Sequence, residues 1–302
     1  MELKKRIQII ICLASLLVLA TTALSQNPPP STDIFLVDLV STGGAIKAAR
    51  PRNKTARAGY DNQPHFIDDG RAILFTSIRK GNQADIYRYD VERGSTERVT
   101  RTAESEYSPT LMPGGKGISV VRVEADSTQR LWRFTIRGGE PALILENVKP
   151  VGYHAWMDED TLALFVLGRP NTLQIADTRT GKAEVAAENI GRSLHRRPGA
   201  GRLSFVHKVA EEEWVIKELD LGTRKATPLI RTLAGSEDYV WTPDGAIIMA
   251  SGSKLYRWDP QKDKDWQEIA DLSPAGVKGI TRLAISPRAD RLALVATADS
   301  KQ

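Results

Sequence analysis

The stretch WTPDGAIIMASGSKLYRWDP, residues 241–260, decides the fold of this chain. It reads as an aromatic strand end, a tight turn with Pro and Gly, an apolar strand, a second turn and a strand ending in Asp. Related stretches recur along the chain, and the residues equivalent to Trp241 are Phe66, Leu111, Trp156, Arg196 and Ile285. The steps between these positions are 45, 45, 40, 45 and 44 residues. Six copies at so constant a spacing indicate an internal repeat.

Each copy continues into a strand that usually closes on Asp. The segments are DIYRYDV (85–91), RLWRFTI (130–136), TLQIADT (172–178), VIKELDL (215–221) and KLYRWDP (254–260). A turn and a short fourth strand follow each segment, and helical periodicity is almost absent. Four strands in 40–45 residues are typical of a β-propeller blade, in which neighbouring sheets bury both faces of each blade.

The first segment of this kind comes too early in the chain to belong to a complete copy. DIFLVDL (33–39) precedes the first repeat, whereas the sixth repeat has only six residues after its strand at 292–296. Residues 33–39 and 45–48, joined at Gly43-Gly44, supply the strands that the sixth copy lacks. The sequence therefore predicts an all-β, six-bladed propeller of four-stranded blades, closed by N-terminal strands that complete the last blade. The alternative is an open β-sandwich with an additional N-terminal strand.

The N-terminus has the pattern of an export signal. Lys4, Lys5 and Arg6 precede an apolar run at 7–20, and small residues at 23–25 suit cleavage before Gln26. We expect a signal peptide at 1–25, a Pro-rich linker at 26–32, the propeller at 33–302, and a periplasmic or secreted protein. An uncleaved membrane anchor is the alternative.

Cleavage would leave a chain without cysteine, since Cys12 lies in the leader, and so exclude disulfides and thiol chemistry. The net charge of +5 would fall to +3, because three basic residues and Glu2 leave with the leader. No basic run remains, so we expect no nucleic acid partner. We expect a monomer that meets the membrane only through an envelope partner.

The turn at 241–245 and the strands at 70–77 and 85–90 resemble the TolB-type propeller repeat, W-S-P-D-G followed by I-A-F-T-S and I-Y-x-x-D strands. The resemblance covers about 33–298 and implies a propeller acting in the periplasm or cell envelope. We expect the short stretch at 26–32 to leave no room for the extra domain that TolB carries before its propeller. Prolyl-oligopeptidase-type relatives would need a G-x-S-x-G elbow, which the chain lacks.

The repeat alignment also predicts which side chains surround the central channel. They lie just before the turn of each copy, and the predicted rim comprises Gln63, Tyr107, Tyr153, His154, Ser193, Glu237, Asp238 and Arg282. Such a polar, partly aromatic rim could bind a protein or peptide. Alternatively, these groups only satisfy one another and trapped water. We expect no catalytic residue, metal or cofactor.

Oligogalacturonate lyase, a related propeller enzyme, holds a metal with channel histidines, so the positions of the histidines in this chain bear on such a site. His65 and His195 lie one position before the reference residue and His154 lies two before, so strand alternation predicts different faces. The same reasoning separates Glu237 from Asp238. A polysaccharide lyase or hydrolase using His154, His195 and Glu237 is the alternative function, and a small-ligand sensor is a third.

Overall fold

The computed structural model describes residues 29–42 and 45–297 of the chain. The predicted signal peptide and the Gly43-Gly44 turn lie outside these described residues. Within them the protein is almost entirely β, with 24 strands and three single 3-10 turns at Asp68–Gly70, Pro113–Gly115 and Ser273–Ala275. The prediction of an all-β fold is therefore confirmed.

The first twelve strands in chain order are β1 (Thr32–Thr42), β2 (Ala45–Asn53), β3 (Tyr60–Ile67), β4 (Ala72–Lys80), β5 (Gln83–Asp90), β6 (Thr96–Arg98), β7 (Ser105–Leu111), β8 (Ile118–Val123), β9 (Gln129–Phe134), β10 (Ala142–Leu143), β11 (Val151–Trp156) and β12 (Thr161–Val166). The other twelve are β13 (Thr172–Asp177), β14 (Lys182–Glu188), β15 (Ile190–Arg196), β16 (Leu203–Ala210), β17 (Glu213–Leu219), β18 (Ala226–Arg231), β19 (Tyr239–Trp241), β20 (Ile247–Ser251), β21 (Lys254–Trp258), β22 (Gln267–Asp271), β23 (Lys278–Ile285) and β24 (Arg291–Thr297).

These strands form the four-stranded blades of a propeller. Four antiparallel sheets of four consecutive strands comprise β7–β10, β11–β14, β15–β18 and β19–β22. The remaining eight strands share one sheet, with the order β23-β24-β1-β3-β4-β5-β6 and with β2 on β1. The two halves of that sheet meet through one parallel pair, Thr32 with Tyr60. Four of the six predicted blades are thus separate sheets, and the other two lie in a common sheet.

The N-terminal strand β1 pairs antiparallel with β24, as predicted for DIFLVDL. The register places Asp33 opposite Ala296 and Val37 opposite Leu292, and β2 pairs with the other edge of β1. Ile34 and Leu36 pack among the buried side chains of one cluster, whereas Phe35 and Val37 belong to a second cluster on the opposite face. A strand buried on both faces needs a continuous apolar run, which explains the sequence between the two aspartates.

The repeated Asp at the end of the third strand serves the turn that follows it. The Asp90 Oδ1 atom accepts hydrogen bonds from the backbone N–H groups of Glu92 and Arg93, at 3.1 and 2.9 Å. Asp177 and Asp220 make the same pair of bonds in their own sheets. A side chain that mimics a backbone turn in this way fixes the connection to the fourth strand.

The tryptophans of the repeat join neighbouring sheets. Trp156 Nε1 donates to Ser119 Oγ of the preceding sheet at 2.9 Å, and Trp241 Nε1 donates to Ser204 Oγ at 2.7 Å. Both serines are the second residue of their strands, β8 and β16, and both are fully buried. Since a buried indole N–H needs an acceptor, each bond fixes the orientation of a first strand against the sheet before it.

Candidate functional site

The first strands of the sheets surround a cavity of about 800 Å³, here called the funnel. It is lined by residues of β3, β7, β11, β15, β19 and β23 and by the turns after several of them. Its size lies in the range of ligand sites, about 300–1,000 Å³. Six of the predicted rim residues line it, namely Gln63, Tyr153, His154, Ser193, Asp238 and Arg282.

The other two predicted residues, Tyr107 and Glu237, do not line the funnel. Tyr107 packs against a buried apolar cluster that includes Val121 and Leu131. Glu237 lines a second cavity of about 130 Å³, which shares Arg192, Asp238 and Arg282 with the funnel. These shared residues therefore separate the two spaces.

Four charged side chains and one tyrosine form what we call the floor cluster: Tyr153, Arg192, Glu237, Asp238 and Arg282. The guanidinium of Arg192 contacts Glu237 Oε1 at 2.9 Å and Asp238 Oδ2 at 2.8 Å. Arg282 donates from Nη1 to the same Asp238 oxygen at 2.7 Å and from Nη2 to Tyr153 Oη at 2.6 Å. Two arginines thus converge on one carboxylate. Such bonds are charge-assisted and hold the guanidinium groups in place.

Glu237 and Asp238 reach different cavities, since Asp238 lines the funnel and Glu237 lines only the smaller one. Arg192 nevertheless contacts both carboxylates, through Nη1 and Nη2 respectively, and both residues precede β19 and lie outside its regular strand geometry. Alternation of side chains applies only to residues in extended, paired backbone. Lys208 contacts Glu237 from the other side, at 3.1 Å.

Burial governs the acid–base behaviour of the floor. It raises the pKa of Asp238 to about 7, with Glu237 adding to the effect and Arg192 opposing it. Burial also raises the pKa of Tyr60, which is further raised by Tyr153 and Tyr107 and lowered by Arg192. Burial likewise raises the pKa of Tyr107 and Tyr153. They stay neutral donors and acceptors at physiological pH.

Two β-bulges explain which side chains reach the funnel. Gln63 and Ser108 have left-handed backbone, with φ of 56° and 52°, and the pairing register shifts on either side of each residue. Gln63 Oε1 then accepts from Thr76 Oγ1 at 2.7 Å and from the Ser108 N–H at 3.0 Å. A bulge reverses the alternation beyond it.

His65, His154 and His195 all line the funnel, as do their neighbours along each strand. Register shifts interrupt β3, β11 and β15 before each histidine, and their placement on different faces stays a prediction. Burial lowers the pKa of His65 and His195 to about 4 and that of His154 to about 3. Across the described residues, no three His, Cys, Asp or Glu side chains are grouped so as to hold a metal ion.

The repeat itself assigns the tautomer of His154. Between the sheets β15–β18 and β19–β22, Tyr239 Oη donates to Ser204 Oγ at 2.8 Å and Trp241 Nε1 donates to the same oxygen. His154 occupies the position of Tyr239, and its Nε2 lies 2.7 Å from Ser119 Oγ, which also accepts from the tryptophan two residues later. Ser119 Oγ in turn donates to the Thr110 carbonyl. Nε2 therefore carries the proton, and the imidazole serves the contact between sheets.

Arg192 is the functional residue that the sequence reasoning missed. It lies four positions before Arg196, the reference residue of its copy, as Glu237 lies four before Trp241. Arg192 and Glu237 thus carry opposite charges at the same position of neighbouring copies, and this pattern could have indicated the ion pair. The Arg192 backbone N–H also donates to Glu237 Oε2, at 3.3 Å.

No family model matches the chain. An uncharacterized protein of Agrobacterium fabrum is 37% identical over 68 residues, which are 22% of this chain and 23% of that protein. Dipeptidyl-peptidase 5 of Porphyromonas gingivalis is 25% identical over 181 residues, 56% of this chain and 25% of the peptidase. The matches thus span about a quarter of the length of these curated relatives.

Solved structures share the fold at low identity. A putative TolB from Agrobacterium tumefaciens superposes with a TM-score of 0.70 at 13% identity, covering 89% of this chain and 99% of that one. A chain of a nidogen/laminin complex gives 0.63 at 12% identity, covering 85% and 99%. Oligogalacturonate lyase from Vibrio parahaemolyticus gives 0.51 at 11% identity, covering 90% and 100%. The chain has the TolB-like propeller fold, which binding proteins and enzymes both use.

Among the described residues, no helix is both long and apolar enough to cross a membrane.

Proposed function

We propose that this chain is a non-catalytic, exported, TolB-like propeller that binds a protein or peptide partner in its funnel. The observation that carries the proposal is the combination of a large, partly apolar cavity with a rigid polar floor. Aromatic and aliphatic walls supply buried area for a partner's side chains, while the floor cluster supplies oriented hydrogen-bond groups. Such sites have few but well-placed polar groups.

The proposed architecture is a ring of six blades spanning residues 33–302. Its support is the antiparallel order β23-β24-β1-β2 in one half of the eight-stranded sheet and β3-β4-β5-β6 in the other. Among the described residues, Thr32 and Tyr60 alone pair across the two halves. A six-bladed ring would place six first strands around the funnel, and residues of β3, β7, β11, β15, β19 and β23 line it.

Export to the periplasm or cell envelope rests on the leader pattern at 1–25, with residues 26–32 as a linker. The proposed protein is a monomer whose membrane contact is made through its partner. The similarity to a propeller solved in a nidogen/laminin complex favours a protein-binding role for this kind of scaffold.

A second candidate is a propeller lyase or hydrolase, favoured by the similarity to oligogalacturonate lyase and by three histidines in one cavity. Its difficulty is that the proposed catalytic groups have structural partners. His154 bonds Ser119, His195 Nε2 lies 3.0 Å from Ser193 Oγ, and Glu237 is paired with Arg192 and Lys208.

A photo-crosslinking experiment in the producing cells tests the binding proposal. A benzophenone amino acid replaces Met112, which lines the funnel, and in a matched control it replaces Val185, which is 57% exposed on the outermost strand β14. We expect a discrete protein adduct from position 112 that is absent from position 185. Equal adducts at both positions, or none at 112, would exclude the funnel as the binding site.

The enzyme alternative has a separate assay. Purified protein is incubated with oligogalacturonate and Mn²⁺, and unsaturated products are followed by ultraviolet absorbance. We expect no product above that of a heat-treated sample. Turnover that disappears in His154→Gln would establish the lyase instead.

A further inference from the structure

The charges that line the funnel are unequal in sign. Arg192, Arg196 and Arg282 line the funnel, and Asp238 is the only acidic residue among the lining residues of the described chain, which leaves a net charge of +2. Glu237 contacts Arg192 from outside the lining, where its own charge is paired with Lys208. The three histidines add nothing near neutral pH, because burial holds each pKa at about 4 or below. Protonation of Asp238 would only increase the positive charge. A cavity of this charge attracts an anionic group.

The arginine at the floor is held in a fixed position. Arg282 is bonded to Asp238 and to Tyr153, and its guanidinium carbon lies 4.9 Å from the centre of the Tyr153 ring. Its side chain keeps 13% of its surface exposed. Since the rotamer is already fixed, an incoming anion would lose little affinity to the ordering of this side chain.

The walls above the floor are largely apolar. Aromatic and aliphatic side chains line them, namely Phe66, Leu111, Met112, Trp156, Leu194, Trp241 and Ile285. An occupant with apolar side chains would bury them here, at about 25 cal/mol per Å² of apolar surface. A free inorganic anion would leave these walls in contact with water.

The funnel is closed at its floor. Tyr153 of β11 and Arg282 of β23 bond to each other across the funnel, and Arg192, Asp238 and Arg282 also line the smaller cavity. A polypeptide that enters cannot pass through, so it must either end in the funnel or turn back within about 800 Å³. That geometry favours a chain end over a loop. Of the two chain ends, the carboxylate complements the excess of arginines among the lining residues and the ammonium group is repelled by it.

We propose that the funnel binds the C-terminal carboxylate of an apolar peptide segment, with the carboxylate directed at Arg282 and the apolar side chains against the aromatic walls. This inference rests on the proposed peptide-binding function. It adds the identity of the bound end and its charge. Binding in this mode resembles the capture of chain termini by donor groups in other recognition modules.

Two degenerate pools of hexapeptides test the inference, one with free C-terminal carboxylates and one amidated. The purified protein is immobilised, retained peptides are identified by mass spectrometry, and dissociation constants of individual peptides are measured by fluorescence anisotropy. We expect retention from the free-acid pool only, with enrichment of apolar residues near the C-terminus. Retained peptides should bind about 10- to 100-fold more weakly when amidated, the usual range for a lost charge-assisted bond.

Two variants with opposite expected effects on affinity distinguish a loss of recognition from damage to the fold. Arg282→Gln should weaken binding of a retained peptide about 10-fold or more, whereas Asp238→Asn should strengthen it because it removes the competing carboxylate. Arg137→Gln, at an exposed position away from the funnel, should leave the affinity unchanged. Loss of binding in both floor variants would show that the cluster acts only through structure.

The possible failures are distinguishable. Equal retention from the acid and amide pools, or no retained peptide, overturns the C-terminal assignment. If the Met112 crosslink nonetheless captures a protein through an internal segment, the proposed peptide-binding function stands and only its extension is wrong. If both experiments are negative, the proposed function itself is wrong.

Discussion

Leu36→Ala tests whether the N-terminal strand holds the ring together. Leu36 is 1% exposed and lies in a cluster with Phe66, Phe75 and Val295, and it is opposite Ala293 of β24. Removing buried methyl and methylene groups from a site enclosed on all sides costs the transfer free energy plus a cavity term. We therefore expect a loss of about 2–5 kcal/mol in the free energy of unfolding.

The intrinsic fluorescence makes this assay a test of the whole ring. The six tryptophans lie at 132, 156, 214, 241, 258 and 266, so all of them are outside β1–β6, β23 and β24. Urea unfolding followed by fluorescence therefore reports on sheets other than the one that is mutated. If β1 closes a cooperative ring, the tryptophan transition should shift by the full 2–5 kcal/mol and remain single.

Val40→Ala is the matched control, because Val40 lies on the same strand but is 42% exposed. Its effect should stay within about 0.5 kcal/mol. An unshifted tryptophan transition in Leu36→Ala, with loss of structure confined to the N-terminal sheet by hydrogen exchange, would refute the reasoning.

Two further predictions concern the histidines and the contacts between sheets. Burial lowers the pKa of His195 from 6.5 to about 4, so the unfolded chain binds more protons between these values and stability falls as the pH drops from 6.5 toward 4. At pH 5.5 each such histidine should cost about 1.4 kcal/mol relative to neutral pH. His195→Gln should reduce the difference in urea stability between pH 7.5 and pH 5.5 by about that amount, and an unchanged difference would contradict the assignment. Ser119→Ala should leave two buried donors unpaired, Trp156 Nε1 and His154 Nε2, at a cost of about 1–3 kcal/mol. Thermal unfolding measures it, with Ser127→Ala in an exposed turn as the control, and equal melting temperatures would count against the bond.

The repeat explains why so much of the fold was predictable. A period of about 45 residues, the Asp at the strand end and the Trp before the turn each have a local physical cause, seen in the hydrogen bonds of Asp90 and Trp156. The pairing of β1 with β24 followed from a missing and an additional strand of the same type. Local chemistry and the whole fold agree here, as they do in most natural sequences.

The site was less predictable because it depends on departures from regular geometry. The left-handed backbone at Gln63 and Ser108 changes which side chains reach the funnel, and neither residue type is typical of that conformation. Glu237 and Asp238 share the contact with Arg192 and precede a strand of three residues. Alternation over a continuous strand does not describe either feature.

Hydrogen exchange of the purified protein with its crosslink-identified partner tests the central claim most directly. The funnel account predicts slower exchange of the backbone amides at the mouth, in the turns at 113–117 and 286–290, and little change in the outermost strands β14 and β18. Slower exchange confined to β14 and β18, with unchanged turns at the mouth, would contradict it.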